Sequence, residues 1–131
     1  NISISQVIEK DLLPIHPDAQ LTDLIELVKL SKRNIFPVVD SAQALQGIVT
    51  LDDIRHIMFD VEKQKNVRVR QLMHRPPEIL LSTENMQSAM EKFEKYGAWN
   101  LPVTENGQYL GFVSKAKIFN AYRKKLQRQK E

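Results

Sequence analysis

Apolar residues recur at Leu21, Leu24, Ile25 and Val28, the spacing of one face of an α-helix, behind the polar Asp18 and Thr22. The period then changes. Short apolar and β-branched runs, Ile35 to Val39 and Gly47 to Thr50, predict two strands, and a second helix is expected at about Leu51 to Met58. The same succession returns later in the chain. Met86, Ala89, Met90 and Phe93 form a helix face behind Ser82 and Thr83, and strands are predicted at Leu101 to Thr104 and Tyr109 to Ser114. Asn106-Gly107 between those strands suits the positive φ values of a tight hairpin, and a final helix is expected from Lys115 to Lys130.

The recurrence is a repeat with a definite register. Ile15 falls over Leu80, Leu21 over Met86, Val28 over Phe93 and Pro37 over Pro102, all at an offset of 65. Gly47 falls over Gly111 at an offset of 64, so the second turn between strands has lost one residue. Each unit reads as a short lead-in followed by β, α, β, β, α. A unit of about 55 to 60 residues struggles to bury a core alone, so two are expected to pair through their sheets. The expected division is residues 1–59 for the first repeat with its lead-in, 60–68 for a charged exposed linker, 69–122 for the second repeat and 123–131 for a basic tail.

Composition narrows the class without naming a chemistry. The chain of 131 residues has 42% hydrophobic and 27% charged residues, values of an ordinary soluble globular protein. It has no cysteine, which excludes disulfides and thiolate zinc sites and suits a reducing compartment. Asn1 to Ser5 offer neither an initiator methionine nor a secretory signal, so the sequence reads as a piece of a longer protein. No apolar run approaches the roughly 18 residues of a membrane span. The net charge of +3 is unevenly placed, since from Lys115 onward seven basic residues face only Glu131.

Two heptapeptides carry the candidate chemistry. "GIVTLDD" (47–53) and "GFVSKAK" (111–117) share a glycine, two apolar residues and a hydroxyl, but end on Asp53 and on Lys117. Read as structure, Thr50 and Ser114 are helix N-caps and Asp53 is a first-turn carboxylate. Other chemistries fall away. Ser114-Lys115-Ala116-Lys117 matches Ser-x-x-Lys of penicillin-binding enzymes, but the companion motifs are absent. Asp52 and Asp53 point about 100° apart on a helix and cannot act as a hydrolytic pair. His16, His56 and His74 lack metal-ligand spacing, and no P-loop occurs. No catalysis is expected.

The repeated unit, its strands Phe36-Pro37-Val38-Val39 and Leu101-Pro102-Val103-Thr104, and the Gly-x-x-Ser/Thr-x-x-Asp ending resemble the CBS domain, used in tandem as the Bateman module. The resemblance runs from about Val7 to Tyr122 and implies an α+β fold of two pseudo-symmetric β-α-β-β-α repeats packed through their sheets. "GIVTLDDIRHIMF" and "SKAKIFNAYRKKL" look more narrowly like the cytosolic region of bacterial ClC-type chloride channels and transporters. On that likeness the chain is a regulatory module on the cytoplasmic face of the membrane, attached to a transmembrane channel domain.

The resemblance also implies an adenosine ligand, AMP, ADP or ATP, in a cleft lined by Ile48, Thr50 and Asp53. Asp53 would accept from the ribose hydroxyls and Thr50 would bond a ribose or phosphate oxygen, at a helix N-terminus that favours an anion. Adenine would lie near Met73, Glu78, Ile79 and Trp99. The equivalent position in the second repeat is degenerate. Ser114 keeps the cap, but Lys117 has only donors, and it is either a phosphate ligand or a solvated helix residue. No metal or further cofactor is expected. The helices at Leu51 and Lys115 carry apolar residues on more than one side, which implies a homodimer. The tail, "YRKKLQRQK", is a solvated helix end or a contact to an anionic membrane surface. Two rival functions remain open at this point, a ligand-free dimerisation scaffold and a nucleic-acid-binding regulator led by the tail, the latter marked by steeply salt-dependent affinity. No nucleic acid is expected on the leading reading.

Overall fold

The computed structural model describes residues 3–130. They form two compact units, one of residues 11–75 and one of residues 3–10 together with 76–130. The fold is α+β, with the repeated strand pair and flanking helices in each unit.

The unit of residues 11–75 is built on an antiparallel pair, β1 (Ile35–Val39) and β2 (Leu45–Thr50), with Phe36 opposite Val49 and Val38 opposite Gly47. Helix α1 (Leu21–Leu30) turns Leu21 and Leu24 into a core with Phe36, Val38, Val49 and Ile54. Its N-cap is Gln20, in a capping box with Asp23, a residue type the cap preferences do not single out. Helix α2 (Leu51–Ile54) is one turn, not the two turns expected, and irregular turns carry the chain to Phe59. The five residues between β1 and β2 are organised by Asp40, whose carboxylate accepts from the N–H groups of Ala42 and Ala44 and from Gln46, while Gln43 takes a positive φ of 66°. Those donors, led by the Ala44 N–H, hold the Asp40 carboxyl below the usual carboxylate range.

The second unit repeats the plan. Strand β3 (Leu80–Leu81) runs parallel to β4 (Asn100–Glu105), which pairs antiparallel with β5 (Gln108–Ser114) through the Asn106-Gly107 turn, at φ 53° and 82° as the dipeptide predicts. Helix α5 (Met86–Tyr96) is capped by Asn85 at its start and by Gly97 in the left-handed region at its end. Helix α6 (Lys115–Lys130) follows β5 directly. Phe93, Leu101, Val103, Val113 and Ile118 are fully buried together.

The compact units do not follow the repeats in chain order, because each lead-in serves the other repeat's hairpin. Residues 69–74 pack within unit 11–75, where Val69 N–H donates to Ala19 and Met73-His74 lies beside β2, exchanging two backbone hydrogen bonds of 2.9 Å between His74 and Ile48. Glu9 does the same beside β5, exchanging bonds of 2.7 and 3.0 Å with Phe112. The glycines permit this approach. A Cβ at Gly47 would stand 2.9 Å from the His74 carbonyl oxygen, and one at Gly111 only 2.5 Å from that of Glu9. The segment expected as an exposed linker, 60–68, is exposed along most of its length, and within it the chain forms helix α3 (Val61–Asn66), N-capped by Asp60. It is tied to α1 because Thr22 Oγ1 and Gln20 Nε2 donate to the Gln64 and Lys65 carbonyls. A one-turn helix α4 (Val69–Leu72) precedes Met73.

Candidate functional site

The first heptapeptide folds into a tight constellation because a glycine, an N-cap and a carboxylate fall on one strand-to-helix junction. Thr50 ends β2 and caps α2: its Oγ1 accepts from Asp53 N–H at 3.2 Å, and Asp53 Oδ2 accepts from Thr50 N–H at 2.8 Å. The same Oδ2 meets His74 Nε2 at 2.9 Å, so a single carboxylate oxygen has two partners. Asp53 is 29% exposed, and among the described residues its Oδ1 meets no donor. The site thus offers one held carboxylate with one oxygen left to act as an acceptor. Its Asp53 N–H is already used by Thr50, and α2 is one turn long, so the anion-favouring helix terminus expected here reduces to the capping box itself.

The second heptapeptide has the same backbone and the opposite electrostatics. Ser114 Oγ accepts from Lys117 N–H at 3.1 Å, as Thr50 does from Asp53. Lys117 Nζ meets Glu9 Oε1 at 2.8 Å, and the Glu9 side chain is 15% exposed. Glu9 and His74 are themselves related by the repeat offset of 65, and each lies beside the strand that precedes its helix. The reversal of sign between Asp53 and Lys117 is therefore matched by a reversal in the lead-ins: Asp53 with His74 in one unit, Lys117 with Glu9 in the other. Lys117 is neither a bare solvated lysine nor an open acceptor.

Of the residues the sequence singled out, Ile48, Thr50, Asp53 and Met73 come together in unit 11–75, with Ile48 buried and Met73 Cβ 3.5 Å from where a Gly47 Cβ would stand. Glu78, Ile79, Trp99, Ser114 and Lys117 belong to the other unit. There Glu78 Oε1 accepts from Ile79 N–H at 2.8 Å and the Ile79 carbonyl accepts from Lys92. Trp99 is 74% exposed, with Lys115 Nζ 5.3 Å from its ring centroid. Sequence reasoning missed His74 and Glu9. The signal that could have found them was the offset of 65 itself, which pairs a histidine with a glutamate where the heptapeptides pair an aspartate with a lysine.

Outside this constellation the described residues contain no group of three His, Asp or Glu placed to hold a metal ion, and no helix long and apolar enough to cross a membrane. The basic tail is the second half of α6, helical to Lys130 and mostly exposed from Arg123 to Gln129.

The CBS domain family profile matches residues 4–60 and 69–124. The Methanocaldococcus jannaschii protein MJ1004 is 28% identical over 115 residues, 86% of this chain and 52% of that protein. The chain spans about half the length of the curated relatives it matches. The crystal structure of MJ1004 superposes with a TM-score of 0.78 at 22% identity, covering 94% of this chain and 60% of that one. CBSX2 in complex with AMP gives a TM-score of 0.76 at 20% identity, over 95% of this chain and 98% of that one. The CBS domain of the bacterial CNNM/CorC family Mg2+ transporter in complex with ATP gives 0.77 at 17% identity, over 90% and 84%.

Proposed function

This chain belongs to the CBS domain family, as a tandem pair, and we propose that it is a regulatory module that senses an adenine nucleotide through Asp53. One observation carries the reading: Asp53 is held through Oδ2 by Thr50 N–H and His74, which leaves Oδ1 to act as a hydroxyl acceptor. A ribose offers two adjacent hydroxyl donors to such an oxygen. The AMP and ATP complexes of CBSX2 and of the CNNM/CorC domain support the ligand class. Lys117, tied to Glu9, offers no equivalent acceptor, so one nucleotide per chain is expected. Ile48, Thr50 and Met73, in the same unit as Asp53, complete the ribose side.

The larger protein in this proposal is a membrane transport protein, of the ClC chloride channel type by the wording of both heptapeptide regions, with this module on the cytoplasmic face. The exposed basic end of α6 would face the anionic membrane surface. The module acts as a homodimer.

Calorimetric titration with AMP, ADP and ATP tests the nucleotide reading. One site per chain is expected, and Asp53→Ala should weaken it by about 1.5 to 3 kcal/mol, the worth of a hydrogen bond to a charged group, or roughly ten- to hundredfold. Asp53→Asn separates loss of charge from loss of the cap. Two equal sites, or an affinity indifferent to both substitutions, would overturn the assignment. Absence of binding at millimolar nucleotide would leave the ligand-free scaffold in its place.

A further inference from the structure

Both ring nitrogens of His74 face hydrogen-bond acceptors: Nε2 lies 2.9 Å from Asp53 Oδ2, and Nδ1 lies 3.3 Å from the Arg75 carbonyl oxygen. Neither partner can donate. A neutral imidazole carries one N–H and can satisfy only one of them, whereas an imidazolium satisfies both. The ring is held in place by its backbone, since the His74 N–H and carbonyl both pair with Ile48 on β2. The other unit keeps a charge pair at the equivalent place, Glu9 with Lys117, with the cation permanent and on the helix. Two units that differ in every residue of the pair yet retain a pair mark it as part of the device and not an incidental contact.

We propose that His74 is a specificity-determining residue of the Asp53 site: as the imidazolium it neutralises the carboxylate, so that the site accepts phosphorylated nucleosides, and on losing its proton it leaves a net negative site that disfavours them. The proposal rests on the reading that Asp53 takes a ribose. The phosphates of a 5′-nucleotide begin a few bonds from the ribose hydroxyls, so the charge of the Asp53–His74 pair acts on them at short range, while adenosine carries no charge to sense it. Of the charged groups around the pair, none but His74 can lose a positive charge near neutral pH. On α2, Asp52 is paired with Arg55 at 3.4 Å; on α4, Arg70 is paired with Asp18 at 2.6 Å; β2 contributes Gln46, Gly47 and Ile48, which carry no charge; and His74's own segment adds only Arg75. Histidine is the side-chain type that changes charge between pH 5 and 8.

The test compares ADP with adenosine by calorimetry at pH 6 and pH 8, in the wild-type chain and in His74→Gln and His74→Lys. A unit charge several ångströms away at a partly exposed site acts by about three- to tenfold. The expected result is that ADP affinity falls by about that factor from pH 6 to pH 8, adenosine affinity changes less than about twofold, His74→Gln loses the ADP dependence, and His74→Lys keeps the tighter binding at pH 8. Imidazole nitrogen NMR of the wild-type chain gives a readout that does not depend on a variant folding: saturating ADP should raise the pH at which the His74 ring deprotonates, by reciprocity of coupling. ADP binding that needs Asp53 but has the same pH profile in wild type and His74→Gln, or a His74 titration unmoved by ADP, overturns this inference alone. Absence of ADP binding at both pH values overturns it together with the nucleotide reading.

Discussion

Replacing Gly111 by alanine tests whether the lead-in lies against the strand as tightly as the geometry requires. The new Cβ would stand 2.5 Å from the Glu9 carbonyl oxygen and 2.5 Å from Ile8 Cγ2, distances that no Cβ tolerates. Ile8 can rotate away, but the Glu9 carbonyl belongs to the backbone bridge with Phe112 and cannot move without breaking it. Two hydrogen bonds of 2.7 and 3.0 Å are at stake, each worth about 1 kcal/mol net. Overpacking of this kind itself costs about 1 to 3 kcal/mol. The expected loss is therefore about 3 to 5 kcal/mol, measured by urea unfolding with an unchanged m-value. Gly97→Ala is the control, since that glycine has φ 62° and nothing within 4 Å of an added Cβ, so only the left-handed strain of about 1 kcal/mol applies. Equal losses for the two variants, or a Gly111→Ala loss below about 0.5 kcal/mol, would refute the argument that residue 111 is glycine because the lead-in approaches it.

Two further outcomes follow from single clusters. Glu84 is opposed by desolvation, but the ammonium of Lys92, the Ser88 hydroxyl and the Leu81 N–H outweigh that and hold its carboxyl below the usual range. A carboxyl with a depressed folded-state value contributes stability above the unfolded value and loses it as pH falls through the folded one; melting temperature should thus drop through the acid carboxylate range, and Glu84→Gln should flatten that drop. The open groove between α5 and α6, lined by Met90, Phe119 and Tyr122 with Gln87, Glu91 and Glu94, is the proposed dimer face, so light scattering at high micromolar concentration should give a dimer and Phe119→Glu a monomer.

Most of the fold was legible because each repeat writes its periods plainly. The strands Ile35–Val39 and Gln108–Ser114 and the faces of α1 and α5 came from local spacing, and the Asn106-Gly107 turn from backbone chemistry that no other dipeptide serves as well. What local spacing could not show was which hairpin each lead-in joins. Pairing of Glu9 with Phe112 and of His74 with Ile48 is a long-range choice, and the only local trace of it is the glycine on each receiving strand. Helix α3 was missed for a related reason: four charged residues and two glutamine or asparagine side chains from Asp60 to Asn66 read as a linker, yet the helix is fixed by Thr22 and Gln20 donating to its carbonyls from α1. Likewise the polar residues noted at the two helix starts were Asp18 with Thr22 and Ser82 with Thr83, while the caps are Gln20 and Asn85, which the repeat offset relates to one another.

The same long-range pairing explains why the two heptapeptides end on opposite charges. Considered within its own helix, Lys117 is a substitution that abolishes an acceptor. Considered with the lead-in beside it, it is one half of a pair whose other half, Glu9, is also reversed relative to His74. A buried or half-buried charge left unpaired is costly, so changing one member alone would have been destabilising, and the pair had to change together. The two units then diverged while keeping one backbone: a carboxylate paired with a histidine in one, and an ammonium paired with a mostly buried glutamate in the other. An Asp at 117 would take away the cation that pairs with Glu9 and leave two carboxylates where one ion pair stood, so restoring the motif at that residue does not by itself restore the site.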